Sequence, residues 1–259
     1  MAPESPRATT LTVLRTEVVA EHFVRVVLGG EGFDTFAPST DTDSYVKIEL
    51  PAGDETVIRT YTVRRVDPAA REIWIDFVVH GDEGVAGPWA RSVQSGTAVT
   101  VRGPGSGYRP DPAADFHLLA GDETAVPAIA AALESLPADA VGAVFVEVAG
   151  PSDELPLAAP AGVVVTWLHR GVAAGEAGDE LIEANAPLVA AVKNLPWPSG
   201  DVQVFVHGEA ETVMKHLRPY LRKERGVAAA RASISGYWRR GRTEEGFRTW
   251  KRELAAVES

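Results

Sequence analysis

Arg59, Tyr61 and Thr62 set a guanidinium, a phenol ring and a hydroxyl within four residues, in the stretch "VIRTYTVRR". Side chains alternate along a strand, so Arg59 and Tyr61 would share one face and Thr60 and Thr62 the other. A strand end or a bulge would turn Thr62 toward its neighbours' ligand. A flat aromatic, a hydroxyl and a cation are what a flavin dinucleotide asks for: a ring against its ring, a hydroxyl near N5, a positive charge at its diphosphate. An exposed strand with an amphipathic Tyr accounts for the same letters.

Other segments carry chemistry of related kinds. In "FVVHGDEGVAGPWARS", His80 and Gly81 close a strand, and Pro88 opens a short helix whose free N–H groups suit a diphosphate. Gly87 would allow close backbone approach there; a plain turn over a buried Trp89 is the competing account. "RGPGSGY", Arg102 to Tyr108, lacks the Lys-Ser/Thr of a phosphate loop and reads as a turn. "LLAGDETAVPAI" is a strand-to-helix turn in which Asp122 or Thr124 can cap the helix. Its place at a strand's carboxyl end is also where a ligand would sit. "TWLHRG" brings His169 and Arg170 to another strand end, where they would meet a 2′-phosphate or lie in a solvated loop. "SISGYWRRGRTEEGF" joins a Tyr-Trp pair to Arg239, Arg240 and Arg242. Either this is an aromatic and cationic surface, or Trp238 packs in the core beneath solvated arginines.

Composition narrows the field. The 259 residues contain no cysteine, which excludes disulfides, thiolate nucleophiles and Cys-held iron–sulfur clusters. Six histidines occur, none at metal-ligand spacing. Redox chemistry would therefore need a bound cofactor. The net charge of −11 disfavours nucleic acid as a partner. Yet nine Lys/Arg and one acid, Glu224, lie between Lys215 and Arg242. That predicts a local cationic surface, or simply solvated helix faces. No apolar run approaches the roughly 20 residues of a membrane span, and "MAPESPRATT" has no signal-peptide core. A cytoplasmic monomer without membrane contact is expected.

The elements that must position these groups follow two periods. Up to about residue 110, "TLTVLRTEVV", "FVRVVLG", "SYVKIELP", "IRTYTVRRVD", "EIWIDFVVHG" and "TAVTVRGP" read as short strands parted by Gly, Pro and Asp. They predict a six-stranded antiparallel Greek-key barrel over residues 1–112. Beyond the linker "RPDPAAD", apolar strands alternate with helices. "DETAVPAIAAALESL", "DELIEANAPLVAAVKNL", "ETVMKHLRPYLRKERG" and a final "TEEGFRTWKRELAAV" read as helical. This predicts a Rossmann-like parallel-sheet domain over residues 113–259 with a C-terminal helix.

"RTYTVR", "HGDEGVAGPWA", "AGDETAVPAI", "HGEAETV" and "SGYWRRGRTEEGF", in this order over nearly the whole chain, closely resemble the siderophore-interacting protein family of FAD-dependent ferric-siderophore reductases, within the ferredoxin-reductase superfamily. The resemblance implies a flavoprotein that reduces Fe(III) in an imported siderophore complex, with NADPH, NADH or ferredoxin as electron donor. It implies FAD contacts from Arg59, Tyr61 and Thr62 on one strand, with Thr62 also in the catalytic role beside the reactive ring. It further implies cofactor contacts from Val79, His80, Ala86, Gly87, Trp89 and Ala90 along the diphosphate and adenine side. Asp122, Glu123, Thr124 and Ala125 would form the turn facing the ring and the donor entrance, and Tyr237 and Trp238 would add further cofactor contacts. Lys47, Arg239 and Arg240 would meet the anionic ferric siderophore. Val85, Ala86 and Gly87 stand where the family pattern often has Pro-Ala-Ser, so a side-chain hydroxyl is missing there while backbone donors remain. Two other readings stay open: another ferredoxin-reductase-type flavin oxidoreductase, or a flavin-holding siderophore-binding protein without catalysis.

Overall fold

The computed structural model describes residues 7–81, 84–178, 181, 183–242 and 246–247. It divides into two compact units. One comprises Met1–Pro112, Val126–Ala138 and Ser152–Pro160; the other comprises Ala113–Ala125, Asp139–Pro151 and Ala161–Ser259.

The first unit is built on seven antiparallel strands: β1 (Ala8–Ala20), β2 (Phe23–Gly29), β3 (Tyr45–Ala52), β4 (Glu55–Thr62), β5 (Arg65–Asp67), β6 (Glu72–Val78) and β7 (Ala98–Gly105). Their hydrogen-bonded order is β4-β3-β7-β1-β2-β6-β5. Six strands were expected, and the seventh comes from the segment "IRTYTVRRVD", which divides at Val63 and Arg64. Val63 N–H donates to Ser44 O at 2.7 Å, while Arg64 N–H donates to Trp74 O at 2.8 Å. The chain thus leaves the β3 side and joins β6, which draws the two ends of the sheet together as a barrel requires. Leu, Val, Ile and Phe at alternate positions fill the interior: Leu11, Val26, Leu28, Ile48, Leu50, Ile73, Ile75 and Phe77 are fully buried. Each such side chain contributes roughly 1.5–3 kcal/mol of burial.

Two local expectations change. "RGPG" continues β7 rather than turning, because Gly105 lacks a Cβ that would otherwise lie 2.4 Å from the Tyr45 ring. The helix α1 (Ala86–Ser92) begins two residues before Pro88 and buries Ala86 and Ala90.

In the second unit five strands are all parallel: β8 (Phe116–Asp122), β9 (Val141–Val148), β10 (Gly162–His169), β11 (Val202–Glu209) and β12 (Ala232–Trp238). The order is β10-β9-β8-β11-β12. It reverses direction between β8 and β11, the switch point at which α/β sheets hold ligands. Leu118, Ala120, Val204 and Val206 face one side, where they pack with Leu188, Val189, Val192, Val213 and Leu217. The helix α2 (Val126–Ser135) follows β8 as expected, and its residues belong to the first unit.

Of the expected helix over residues 179–195, part of which lies outside the described residues, the described part forms α3 (Pro187–Asn194) after a tight turn at Glu183–Asn185. Pro187 has no N–H to continue a helix, and Ala186 before it is extended, with ψ 132°. The expected helix after β11 is wound in wide turns at Thr212–Leu217 and Tyr220–Glu224, on either side of Pro219, which cannot donate. The expected final helix lies outside the described residues except for Gly246 and Phe247. Among the described residues no helix is long and apolar enough to cross a membrane, which says nothing of crossing by strands.

Candidate functional site

In the first unit, β4 is terminal in the strand order and carries the polar run. Tyr61 is half-buried, its ring centroid 4.2 Å from Phe77, and Phe77 lies 5.5 Å from Trp89 of α1. Three rings therefore run from β4 past β6 to α1. Arg59 shares the face of Tyr61, is half-buried, and donates from Nη1 to Ile58 O at 3.0 Å. Thr62 is buried and closes β4, opposite Tyr45 in a β3–β4 ladder of unbroken register. The ladder has no bulge here, and Thr62 is the last residue of the strand. Lys47 of β3 stands opposite Thr60, so it shares a face with Thr62 rather than with Tyr61.

Val79, Ala86 and Ala90 are buried in the barrel core, whereas His80 is exposed. At Gly87 an added Cβ would come no closer than 3.7 Å to Val79, so packing does not demand the glycine. Among the described residues no side chain caps α1, which leaves backbone donors at its start. A ring with one packed side, a hydroxyl, a guanidinium and bare backbone fit the groups of FAD. Phe77 was not singled out from sequence, since an apolar strand residue gives no signal of supporting a site.

In the second unit, the carboxyl ends of β8 and β11 hold a dense polar cluster. Asp122 Oδ1 accepts from Thr124 N at 2.9 Å and from Thr124 Oγ1 at 2.5 Å. Asp122 Oδ2 accepts from Glu209 N at 2.7 Å and from Trp238 Nε1 at 2.8 Å. The β11–β12 ladder slips here: Gly208 opposes Gly236 and Glu209 opposes Trp238, so Tyr237 is the extra residue of a bulge. Tyr237 instead lies edge-on to His207, at 4.6 Å. Glu209 accepts from Thr212 N at 2.8 Å and from Arg240 N at 3.3 Å. Asp122, Glu147, Arg170, Glu209, Trp238 and Arg240 line a hollow of about 40 Å³, room for a few waters. Arg239 pairs at 2.8 Å with Glu211, which lines the same hollow. Trp238 is thus half-buried and hydrogen-bonded, neither a core residue nor a bare surface aromatic.

Arg170 corrects both sequence readings of it. Its side chain is 3% exposed and lies 2.7 Å from Glu123 and 2.7 Å from Glu147. It is neither a solvated loop residue nor open to a 2′-phosphate. Glu147 also accepts from Leu188 N at 2.9 Å, at the start of α3. Burial, with the Asp122 charge adding to it, pushes the Glu123 carboxyl up to about 7. Burial opposes the charge on Arg170, but Glu123 and Glu147 outweigh it and raise the guanidinium above its ordinary value. Glu209 is also raised by burial. Burial opposes ionisation of Glu211, yet bonds from Lys215, Glu183 and Arg239 hold it down to about 2.

The basic run from Lys215 is largely engaged. Lys215 and Arg239 pair with Glu211, Arg231 pairs with Asp201, and Arg225 stacks over Trp197 at 5.4 Å and Tyr220 at 5.0 Å. Charge crowded in the sequence is spread in space onto carboxylates and rings from other segments.

Comparison with known proteins agrees with this architecture. The family model "Siderophore-interacting protein" matches residues 114–241, and "Siderophore-interacting FAD-binding domain" matches residues 49–108. An uncharacterized protein of Mycobacterium tuberculosis is 54% identical over 270 residues, 95% of each chain. Ferric vibriobactin reductase ViuB of Vibrio cholerae is 35% identical over 261 residues, 92% of this chain and 91% of the relative. The crystal structure of the siderophore-interacting protein SipS from Aeromonas hydrophila superposes with TM-score 0.83 at 29% identity, covering 97% of this chain and 99% of that one. A barrel-like antiparallel sheet followed by a five-stranded parallel sheet defines a ferredoxin-reductase-like flavoprotein fold. Within it, the chain belongs to the siderophore-interacting protein family.

Proposed function

We propose that the protein is an FAD-dependent ferric-siderophore reductase, which takes electrons from NADPH, NADH or ferredoxin and reduces siderophore-bound Fe(III) to Fe(II). The observation that carries this reading is the β4 run of Arg59, Tyr61 and Thr62, joined through Phe77 to Trp89, inside the stretch that matches the FAD-binding domain. The 35% identity with ferric vibriobactin reductase supports the choice of acceptor. FAD, when bound, supplies the conversion of a two-electron donor into single electrons. Tyr61 would pack against the ring, Arg59 would offset the diphosphate charge, and Thr62 would offer a hydroxyl to the flavin. Hard oxygen ligands favour Fe(III) over Fe(II), so reduction loosens the metal without an acid, base or nucleophile. Lys47, Arg239 and Arg240 draw the anionic chelate toward a chain of net charge −11. Of the two arginines, Arg240 lines the hollow and Arg239 is held by Glu211. We place the protein in the cytoplasm as a monomer, with domains at 1–112 and 113–259.

An anaerobic screen tests this. Purified FAD-loaded protein is mixed with NADH, NADPH or reduced ferredoxin, flavin bleaching is followed, and ferric siderophore is added with ferrozine. Donor-dependent Fe(II)–ferrozine colour is expected. Tight siderophore binding with no Fe(II) from any donor would leave the non-catalytic reading instead.

A further inference from the structure

We infer that Asp122 is a positioning residue, which sets the plane of Trp238 and the course of the chain through Arg240, so that indole and guanidinium line one hollow. This rests on the proposed reductase site. The carboxylate of Asp122 is fully used inside the protein. Its two oxygens accept four hydrogen bonds, from Thr124 N and Oγ1, Glu209 N and Trp238 Nε1, at 2.5–2.9 Å. No acceptor capacity is left over for a ligand. Asp122 therefore acts through the groups it holds.

The local backbone is shaped around this carboxylate. Gly208 has φ 150°, and a Cβ on it would lie 2.7 Å from Asp122 Oδ2. Any larger residue would displace the carboxylate from Glu209 and Trp238. The bulge at Tyr237 brings Trp238 opposite Glu209, where the indole N–H reaches Asp122. From Glu209 the constraint continues, because its carboxylate accepts from Thr212 N and Arg240 N. One buried charge at the end of β8 thereby fixes the ends of β11 and β12. Donors that meet an ionised acceptor hold more strongly than neutral pairs. A network whose every member is satisfied also specifies one arrangement rather than several. This gives the "GDET" and "GYWRR" stretches, 116 residues apart, one shared physical task.

The test uses the FAD-loaded protein with Asp122→Asn, Trp238→Phe and the double variant. Asn keeps the shape but turns an NH2 group toward donors, so part of the cluster must open. The first readout is the indole N–H resonance assigned by its absence in Trp238→Phe. Slow hydrogen exchange is expected in the parent protein and fast exchange in Asp122→Asn. The second is a kinetic cycle with a ferric tris-catecholate complex. Each single variant is expected to raise KM about five- to tenfold with little change in kcat, and the double variant to be no worse than Trp238→Phe. Additive KM effects, or unchanged exchange in Asp122→Asn, would overturn the inference. If Asp122→Asn does not fold, Trp238→Phe decides: an unchanged KM for the chelate overturns it. If the parent protein reduces no chelate, the reductase reading fails separately, and the exchange measurement alone judges Asp122.

Discussion

Arg170 Nη2 lies 2.7 Å from Glu123 Oε1, and both side chains are buried. Glu147 completes the arrangement from the adjacent strand, again at 2.7 Å. One guanidinium thus ties the end of β8 to β9 and, through Leu188 N, to the start of α3. With both carboxylates ionised, three charges of net −1 are removed from water here, which only mutual hydrogen bonding makes tolerable.

Removing the cation should therefore cost more than a surface pair. Arg170→Ala leaves two buried carboxylates uncompensated, and a loss of about 3–5 kcal/mol is expected in urea unfolding. A loss below about 1 kcal/mol, the range of exposed pairs, would show that the site is wetter than the structure has it.

Glu123 should make stability depend on pH. Its folded-state pKa of about 7 lies above the ordinary carboxylate value, so the folded protein binds this proton more tightly than the unfolded chain. The stabilising contribution is present below about pH 4.5 and is lost as pH rises through about 7. The change is on the order of 3 kcal/mol. Unfolding curves between pH 4.5 and 8 should flatten in Glu123→Gln, which stays neutral throughout; an unaltered slope would assign the dependence to another group.

Tyr61 and Phe77 should separate cofactor from fold. Tyr61 is half-buried, so Tyr61→Ala is expected to weaken FAD binding by tenfold or more, with the barrel intact. Retained flavin absorbance after gel filtration at low concentration would count against the assignment. Phe77 is fully buried, and Phe77→Ala is expected to cost about 3–5 kcal/mol in unfolding.

Arg239 and Arg240 should not be equivalent. Arg240 lines the hollow, whereas Arg239 is paired with Glu211. Arg240→Ala should raise the KM for an anionic ferric siderophore roughly tenfold, with a steeper fall in rate as salt is raised in the parent than in the variant. Arg239→Ala should change KM by about threefold or less. The reverse ranking would exchange their roles.

Much of this was legible in the order of residues, and for a definite reason. Alternating Val, Ile and Thr against Gly and Pro breaks made the strands of β1–β4, β6 and β7 visible, and continuous apolar runs marked β8–β11, because period and composition are local properties. Arg59, Tyr61 and Thr62 stand within one strand, so their grouping needed no folding to be seen. What required three dimensions were partners distant along the chain. The split of "IRTYTVRRVD" depends on Ser44 and Trp74, the fate of Arg170 on Glu123 and Glu147, and the direction of Trp238 on Asp122. A guanidinium with no local acid reads as free until the fold brings one to it, and the crowded charges after Lys215 read as a cationic patch until Asp201, Glu211 and Trp197 meet them. Local preference names the elements; which buried polar group answers which is settled only when the chain closes on itself and water is excluded.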